Sequence, residues 1–107
     1  MLKVSHKQLI DNALAEVETL EIEDAENFLE DDDALFVDLR DPRELEREGK
    51  IPNAFHAPRG MLEFWVDPTS PYHKEAFASG KRIIFYCQSG WRSALATKAV
   101  QDMGLER

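Results

Sequence analysis

The sequence has only one cysteine, Cys87, among its 107 residues. A single cysteine excludes an internal disulfide and any metal site built from several cysteines. It is typical of the reducing cytoplasm, where we expect this protein to lie. No apolar run approaches the roughly 20 residues that a membrane-spanning helix needs, and the polar N-terminus is not typical of a signal peptide. We therefore expect no contact with a membrane.

Basic residues are also few, with 13 lysines and arginines against 21 acidic residues and a net charge of −8. This balance argues against nucleic-acid binding, which needs a basic face. The acidic residues concentrate in residues 1–53, whereas residues 54–107 are slightly basic. We interpret the acidic half as a solvated surface and expect an anionic substrate to prefer the half that contains Cys87.

Strand and helix signals alternate along the chain, and its length fits one compact domain. The patterns predict helices over residues 6–18, 41–49, 70–78 and 93–103, together with a short helix after residue 22 and a helical turn near 61–65. They predict strands over residues 19–22, 34–39, 54–57 and 82–86. We assign residues 1–18 to an N-terminal helix and residues 19–107 to the main domain. Alternation of this kind predicts an α/β fold with a parallel sheet flanked by helices on both faces.

One helix start has an unusually complete local signal. Asp41 is placed to be the N-cap, Pro42 stands at the first helical position, and Glu44 completes a capping box. Gly49 is the residue that would end this helix.

Cys87 directly follows the clearest strand and is followed within a few residues by a helix. Ligands bind at the carboxyl ends of parallel strands, and a tight loop before a helix can direct several N–H groups at one point. Gly90 permits the curled backbone, and Arg92 adds a cation. Such surroundings lower the pKa of a thiol and stabilise the nucleophilic thiolate. We therefore predict that Cys87 is reactive.

Other residue types offer weaker signals. The three histidines show no ligand spacing with one another or with Cys87, so we predict no metal site, and no cofactor is expected. Trp91, within the loop, is expected to be partly exposed. It could gate the pocket or contact an acceptor protein, but simple packing over the loop is slightly favoured.

Three segments resemble the rhodanese-homology family. Residues 87–93, Cys-Gln-Ser-Gly-Trp-Arg-Ser, resemble its active-site loop. Residues 37–44 resemble its first signature, and residues 49–54 resemble its Gly-His-Ile-Pro-Gly-Ala segment, with Lys50 and Asn53 as departures. The resemblance covers residues 20–104, and the N-terminal helix falls outside it.

The resemblance implies a sulfurtransferase with the three-layer rhodanese-like fold. Cys87 would take the sulfane sulfur of a small anionic donor such as thiosulfate and then pass it to cyanide, a thiol or a sulfur-carrier protein. Asp38, Arg40 and Ser93 would support the loop, with the alternative for Asp38 and Arg40 that they are solvated loop charges. The resemblance implies that the substrate is bound by the remaining loop residues, Gln88, Ser89, Gly90, Trp91 and Arg92.

Two other functions remain open at this point. The chain could be a rhodanese-like regulatory or protein-binding module with little activity. It could also be a small phosphatase or arsenate reductase, but the related enzymes of that kind have five residues between cysteine and arginine, whereas only four separate Cys87 from Arg92. A phosphoryl group needs a wider ring of N–H donors than one sulfur atom, so the shorter loop favours sulfur chemistry.

The family normally continues after the last helix into a further strand and helix, which this sequence lacks. We expect a gap beside the central strand. Either the chain is a truncated form of such a domain, or the N-terminal segment or a second copy of the chain fills the gap. The protein is accordingly expected to be a monomer or a homodimer.

Overall fold

The computed structural model describes residues 2–88 and 90–105, in which helices and strands alternate. The helices are α1 (His6–Glu16), α2 (Ile22–Glu26), α3 (Pro42–Glu48), α4 (Leu62–Val66) and α5 (Trp91–Asp102), and the strands are β1 (Ala34–Asp38), β2 (Phe55–His56) and β3 (Arg82–Tyr86). Two 3-10 turns, Arg59–Met61 and Glu75–Ala78, complete the secondary structure described. None of the helices in these residues combines the length and the apolar character needed to cross a membrane.

The three strands form one parallel sheet in the order β2-β1-β3. In the register of this sheet Asp38 lies beside Tyr86, so the last residues of β1 and β3 are neighbours. The segment after β1 and the Cys87 loop after β3 therefore leave the same edge of the sheet, which is where ligands bind in parallel sheets.

The strongest local signals produce the predicted structures. The Asp41 side chain accepts from the Arg43 N–H at 2.8 Å, the Glu44 side chain accepts from the Asp41 N–H at 3.1 Å, and Pro42 begins helix α3. Gly49 ends that helix with a φ of 75°. The capping box of helix α3 is thus confirmed.

Two predicted elements are wrong. Residues 19–22 form no strand: the chain is irregular as far as Glu21, and α2 begins at Ile22. The helix predicted over 70–78 is reduced to a turn followed by the 3-10 turn at Glu75–Ala78. The reason lies in the backbone. The Lys74 N–H donates to the Trp65 carbonyl at 2.9 Å, so it does not take part in the hydrogen bonds of a regular helix.

The main core lies between the sheet and helices α4 and α5. Its buried members come from β1, from the segments after β1 and β2, from the two helices and from the second 3-10 turn. They are Val37, Leu39, Ala57, Leu62, Val66, Phe77, Ala96 and Val100. Burying one such large aliphatic side chain contributes about 1.5–3 kcal/mol. This packing fixes α5, and with it the loop that precedes α5.

Helix α1 packs along the outer side of α5. Ile10 and Ala13 are buried, the Glu16 carbonyl accepts from the Gln101 amide at 3.0 Å, and the Glu16 carboxylate pairs with Lys98 at 2.8 Å. The N-terminal helix therefore holds the helix that begins at the Cys87 loop.

Candidate active site

The Cys87 loop connects β3 to α5 at the edge of the sheet. Cys87 follows the last residue of β3 and is half-buried. Gly90 is the N-cap of α5 with a left-handed φ of 86°, and it allows the backbone to turn into the helix. Ser89, which the resemblance places among the binding residues, lies outside the described residues.

The sulfur of Cys87 lies against the first N–H groups of α5. The Gly90 N–H donates to Cys87 Sγ over 3.2 Å and the Ser93 N–H over 3.4 Å, while Ser93 Oγ lies 3.7 Å from the sulfur. N–H donors stabilise a negatively charged sulfur more than a neutral thiol, and the helix dipole acts in the same direction. The loop is therefore built to stabilise a thiolate, or a charged group attached to it.

Replacement of Gly90 by alanine tests this geometry. A non-glycine residue at left-handed φ costs about 1–2 kcal/mol, so we expect Gly90→Ala to lower the free energy of unfolding by that amount and to weaken the N–H contact with the sulfur. Gly60→Ala is the matched control, because a methyl group there meets no atom within 4 Å and its φ is not positive. Equal denaturant midpoints for the two variants would contradict the expectation.

Arg92 is held by a residue from the other half of the chain. Its Nη1 and Nη2 donate to the two carboxylate oxygens of Glu44, on α3, over 2.7 and 2.9 Å. The Arg92 hydrogen bonds, followed by the Asp41 N–H, lower the pKa of Glu44 to about 2. The pKa of Arg92 is raised, first by Glu44 and to a smaller extent by Cys87. The predicted donor-binding cation thus lies between a carboxylate and the sulfur.

The other two described loop residues also have partners outside the loop. The Gln88 side-chain amide donates to Glu48, one turn beyond Glu44 on α3, over 3.4 Å. Trp91 is 55% exposed, as expected, and its ring lies 5.6 Å from that of His6 on α1. Sequence reasoning missed both glutamates, because Glu44 had a local explanation as a capping residue and Glu48 carried no motif.

Asp38 and Arg40 form a buried ion pair below the loop. Asp38 is 1% exposed and Arg40 8%. The guanidinium donates to both Asp38 oxygens, with the shortest contact at 2.9 Å, and to the Gly49 carbonyl at 2.8 Å. These contacts exclude the alternative that the two residues are solvated loop charges.

Tyr86, the residue before Cys87, belongs to the same network, and sequence reasoning missed it. Its hydroxyl donates to Asp38 Oδ2 over 2.9 Å, and its carbonyl accepts from the Leu39 N–H at 3.1 Å. Burial raises the pKa of Asp38, but the hydrogen bonds from Arg40 and Tyr86 outweigh it, so the net pKa is lowered. Burial, assisted by Asp38, raises the pKa of Tyr86 to about 12. The network therefore fixes the backbone from which Cys87 projects.

A groove of about 980 Å³ runs along the side of β3 that faces away from β1. Cys87 and Trp91 line one part of it, and Leu14 of α1, Leu29 and Phe36 contribute apolar walls. Within the residues that the structure describes, no strand pairs with this edge of β3. β3 is therefore an edge strand of the described sheet, whereas the central strand β1 is paired on both sides, and the Cys87 loop opens onto the groove beside β3.

Comparisons with known proteins identify the family. The model of the rhodanese-like domain matches residues 21–107. A solved structure from Rhodopseudomonas palustris CGA009, described as a protein of unknown function and a possible tyrosine phosphatase, is 49% identical. It matches 100% of this chain and 83% of its own chain with a TM-score of 0.96. No curated protein matches the sequence.

Proposed function

Because this chain belongs to the rhodanese-like family, we propose that it is a sulfurtransferase that carries sulfur as a persulfide on Cys87. One observation carries the proposal: the Gly90 and Ser93 N–H groups converge on Cys87 Sγ at the mouth of a groove. Main-chain donors aimed at a sulfur supply the stabilisation that a thiolate nucleophile and its persulfide both need.

In the first half-reaction the Cys87 thiolate attacks the outer sulfur of a donor such as thiosulfate. A sulfur–sulfur bond forms on Cys87 as the donor's own sulfur–sulfur bond breaks, and sulfite leaves with the electron pair. Three negative charges enter the step, and three leave it as the persulfide anion and sulfite. The Gly90 and Ser93 N–H groups hold the charge that stays on the enzyme.

In the second half-reaction an acceptor removes the outer sulfur. Cyanide or a thiolate attacks it, the persulfide bond breaks, and the electron pair returns to Cys87 as the thiolate. Thiocyanate or a new persulfide is released, so the two substrates react in turn and ping-pong kinetics are expected. Trp91 lines the groove together with Cys87, and Gln88 and Arg92 belong to the same loop. We propose that these three residues contact the substrates.

Tyrosine phosphatase activity is the second candidate, because the structural neighbour is described in those words. Such an enzyme uses a cysteine thiolate as the nucleophile and an arginine to bind the phosphate, and this chain has Cys87 and Arg92. Two features favour sulfur instead. The loop places only four residues between Cys87 and Arg92, and Glu44 occupies the guanidinium that would bind phosphate oxygens.

A parallel assay of the two activities tests the proposal. We expect the protein to form thiocyanate from cyanide and a sulfane-sulfur donor, and to release no phenol from an aryl phosphate above the rate of a Cys87→Ser control. Phosphate release that requires Cys87, without thiocyanate formation, would assign the chain to the second candidate.

A further inference from the structure

Helix α3 places two carboxylates against the Cys87 loop. Both carboxylate oxygens of Glu44 accept hydrogen bonds from Arg92. Glu48 accepts a hydrogen bond from the Gln88 amide, and its carboxylate lies 3.7 Å from the Arg40 guanidinium. The Glu44 side chain is only 13% exposed, so water screens it less than an ordinary surface carboxylate. The acidic half of the sequence therefore contributes directly to the surroundings of the sulfur.

Arg92 of the loop and Arg40 of the buried network each form an ion pair with a carboxylate. Arg92 is balanced by Glu44, and Arg40 by Asp38. A Cys87 thiolate adds one more negative charge, so the sum over Arg92, Glu44 and Cys87 is negative. An incoming dianion can accept hydrogen bonds from the loop N–H groups, but Arg92, Glu44 and Cys87 together offer it no net positive charge.

We propose that Glu44 selects the sulfur donor by its charge, disfavouring dianions such as thiosulfate and favouring donors with one negative charge or none around the sulfane sulfur. Organic persulfides and thiosulfonates belong to the favoured class. This inference rests on the proposed sulfurtransferase function and specifies its substrate class. Glu44 acts through Arg92 and through its own field, so it is a specificity-determining residue with no part in bond making.

The size of the effect follows from Coulomb's law. One additional negative charge on a donor, several ångströms from the Glu44 carboxylate at a partly exposed site, changes relative binding by about tenfold. Because Glu44 interacts with the charge of the donor, its repulsion should weaken mainly donor binding and affect the chemical step much less.

A pair of donors that differ in charge isolates this effect. Thiosulfate is a dianion and methanethiosulfonate a monoanion, and each presents a terminal sulfane sulfur. With methanethiosulfonate the Cys87 thiolate takes the outer sulfur and methanesulfinate leaves with the electron pair, so two negative charges enter and two leave. The ratio of kcat/KM for the two donors, with cyanide as the acceptor, is the quantity to measure.

The decisive variant is Glu44→Gln, because glutamine keeps the oxygen that accepts from the Asp41 N–H in the capping box. We expect the wild-type protein to prefer methanethiosulfonate. We expect Glu44→Gln to reduce that preference about tenfold, mainly by lowering the KM for thiosulfate. Glu63→Gln, which removes a carboxylate that pairs with Arg59 rather than with Arg92, is the matched control and should leave the ratio unchanged.

Ionic strength provides a second measurement that needs no variant. Added salt screens repulsion, so the wild-type KM for thiosulfate should fall as salt is raised, and this dependence should weaken in Glu44→Gln. An equal loss of activity with both donors in Glu44→Gln would show a purely structural role for Glu44 and overturn the inference. A kcat/KM ratio for the two donors that is unchanged in Glu44→Gln would also overturn the inference. In both cases the proposed sulfurtransferase function would stand. Absence of sulfur transfer from either donor to the wild-type protein would overturn both.

Discussion

Serine in place of Cys87 is expected to abolish sulfur transfer, lowering the rate of thiocyanate formation by about 10⁴-fold or more. A serine hydroxyl stays protonated at neutral pH and cannot form a persulfide, so the first half-reaction has no nucleophile. The N–H groups of Gly90 and Ser93 remain in place around the hydroxyl, so the loss would come from the sulfur itself.

Thermal unfolding of the Cys87→Ser variant provides the control. The side chain is half-buried and the two residues have similar shapes, so the melting temperature should change little. Residual activity within tenfold of the wild type, in a folded variant, would contradict the mechanism. An inactive wild-type protein that binds a partner equally well with and without the thiol would instead support the regulatory-module alternative.

Asparagine in place of Asp38 is expected to cause the largest loss of stability. The substitution conserves shape but removes the carboxylate closest to the buried Arg40 guanidinium, leaves it the longer 3.7 Å ion pair with Glu48, and weakens the contact with Tyr86. Breaking a buried ion pair by removing one partner costs about 3–5 kcal/mol. For a domain of this size that corresponds to a fall in melting temperature of about 10 °C or more.

The matched control for Asp38→Asn is Asp11→Asn, which breaks an exposed ion pair with Lys7 on α1. Exposed pairs contribute little, so its effect should stay below about 1 kcal/mol. Similar stability losses in the two variants would contradict the role assigned to the network.

The Asp38→Asn substitution should also change how the stability of the fold depends on pH. The pKa of Asp38 is lowered in the folded protein, so its carboxylate stabilises the fold above its unfolded pKa of about 4. That contribution is lost as the pH falls through the folded pKa. Asp38→Asn should therefore remove part of the destabilisation that the wild type shows below about pH 4.

Elements with short-range signals could be predicted from the sequence. The Asp41 capping box and Gly49 define helix α3 within a few residues, and the apolar run 83–86 marks β3. The loop after β3 was also predictable, because Gly90 and the helix behind it are adjacent to Cys87 in the chain. In each case the residues that determine the structure are local.

The contacts that complete the site could not be predicted in this way. Glu44 and Arg92 are 48 residues apart, as are Asp38 and Tyr86, and each pair meets only because the sheet places β1 beside β3. A strand pattern alone indicates neither the order of strands nor the register between them. The wrong helix over 70–78 shares this cause, since the contact of the Lys74 N–H with the Trp65 carbonyl competes with a regular helix.

The charge pattern offers a related lesson. Counting charges along the chain suggested that an anion would prefer the half that contains Cys87, while the acidic half would be a solvated surface. Folding places α3, from the acidic half, against the loop, where Glu44 pairs with Arg92. Charge along a sequence therefore does not give the charge around a site.

Intact-mass measurement after incubation with a sulfane-sulfur donor tests the central claim most directly, because the chain has one cysteine. With methanethiosulfonate the wild-type protein should gain the mass of one sulfur atom, and cyanide should remove it. The Cys87→Ser variant should gain nothing. An unchanged mass in folded wild-type protein, or an equal gain in the variant, would contradict the account.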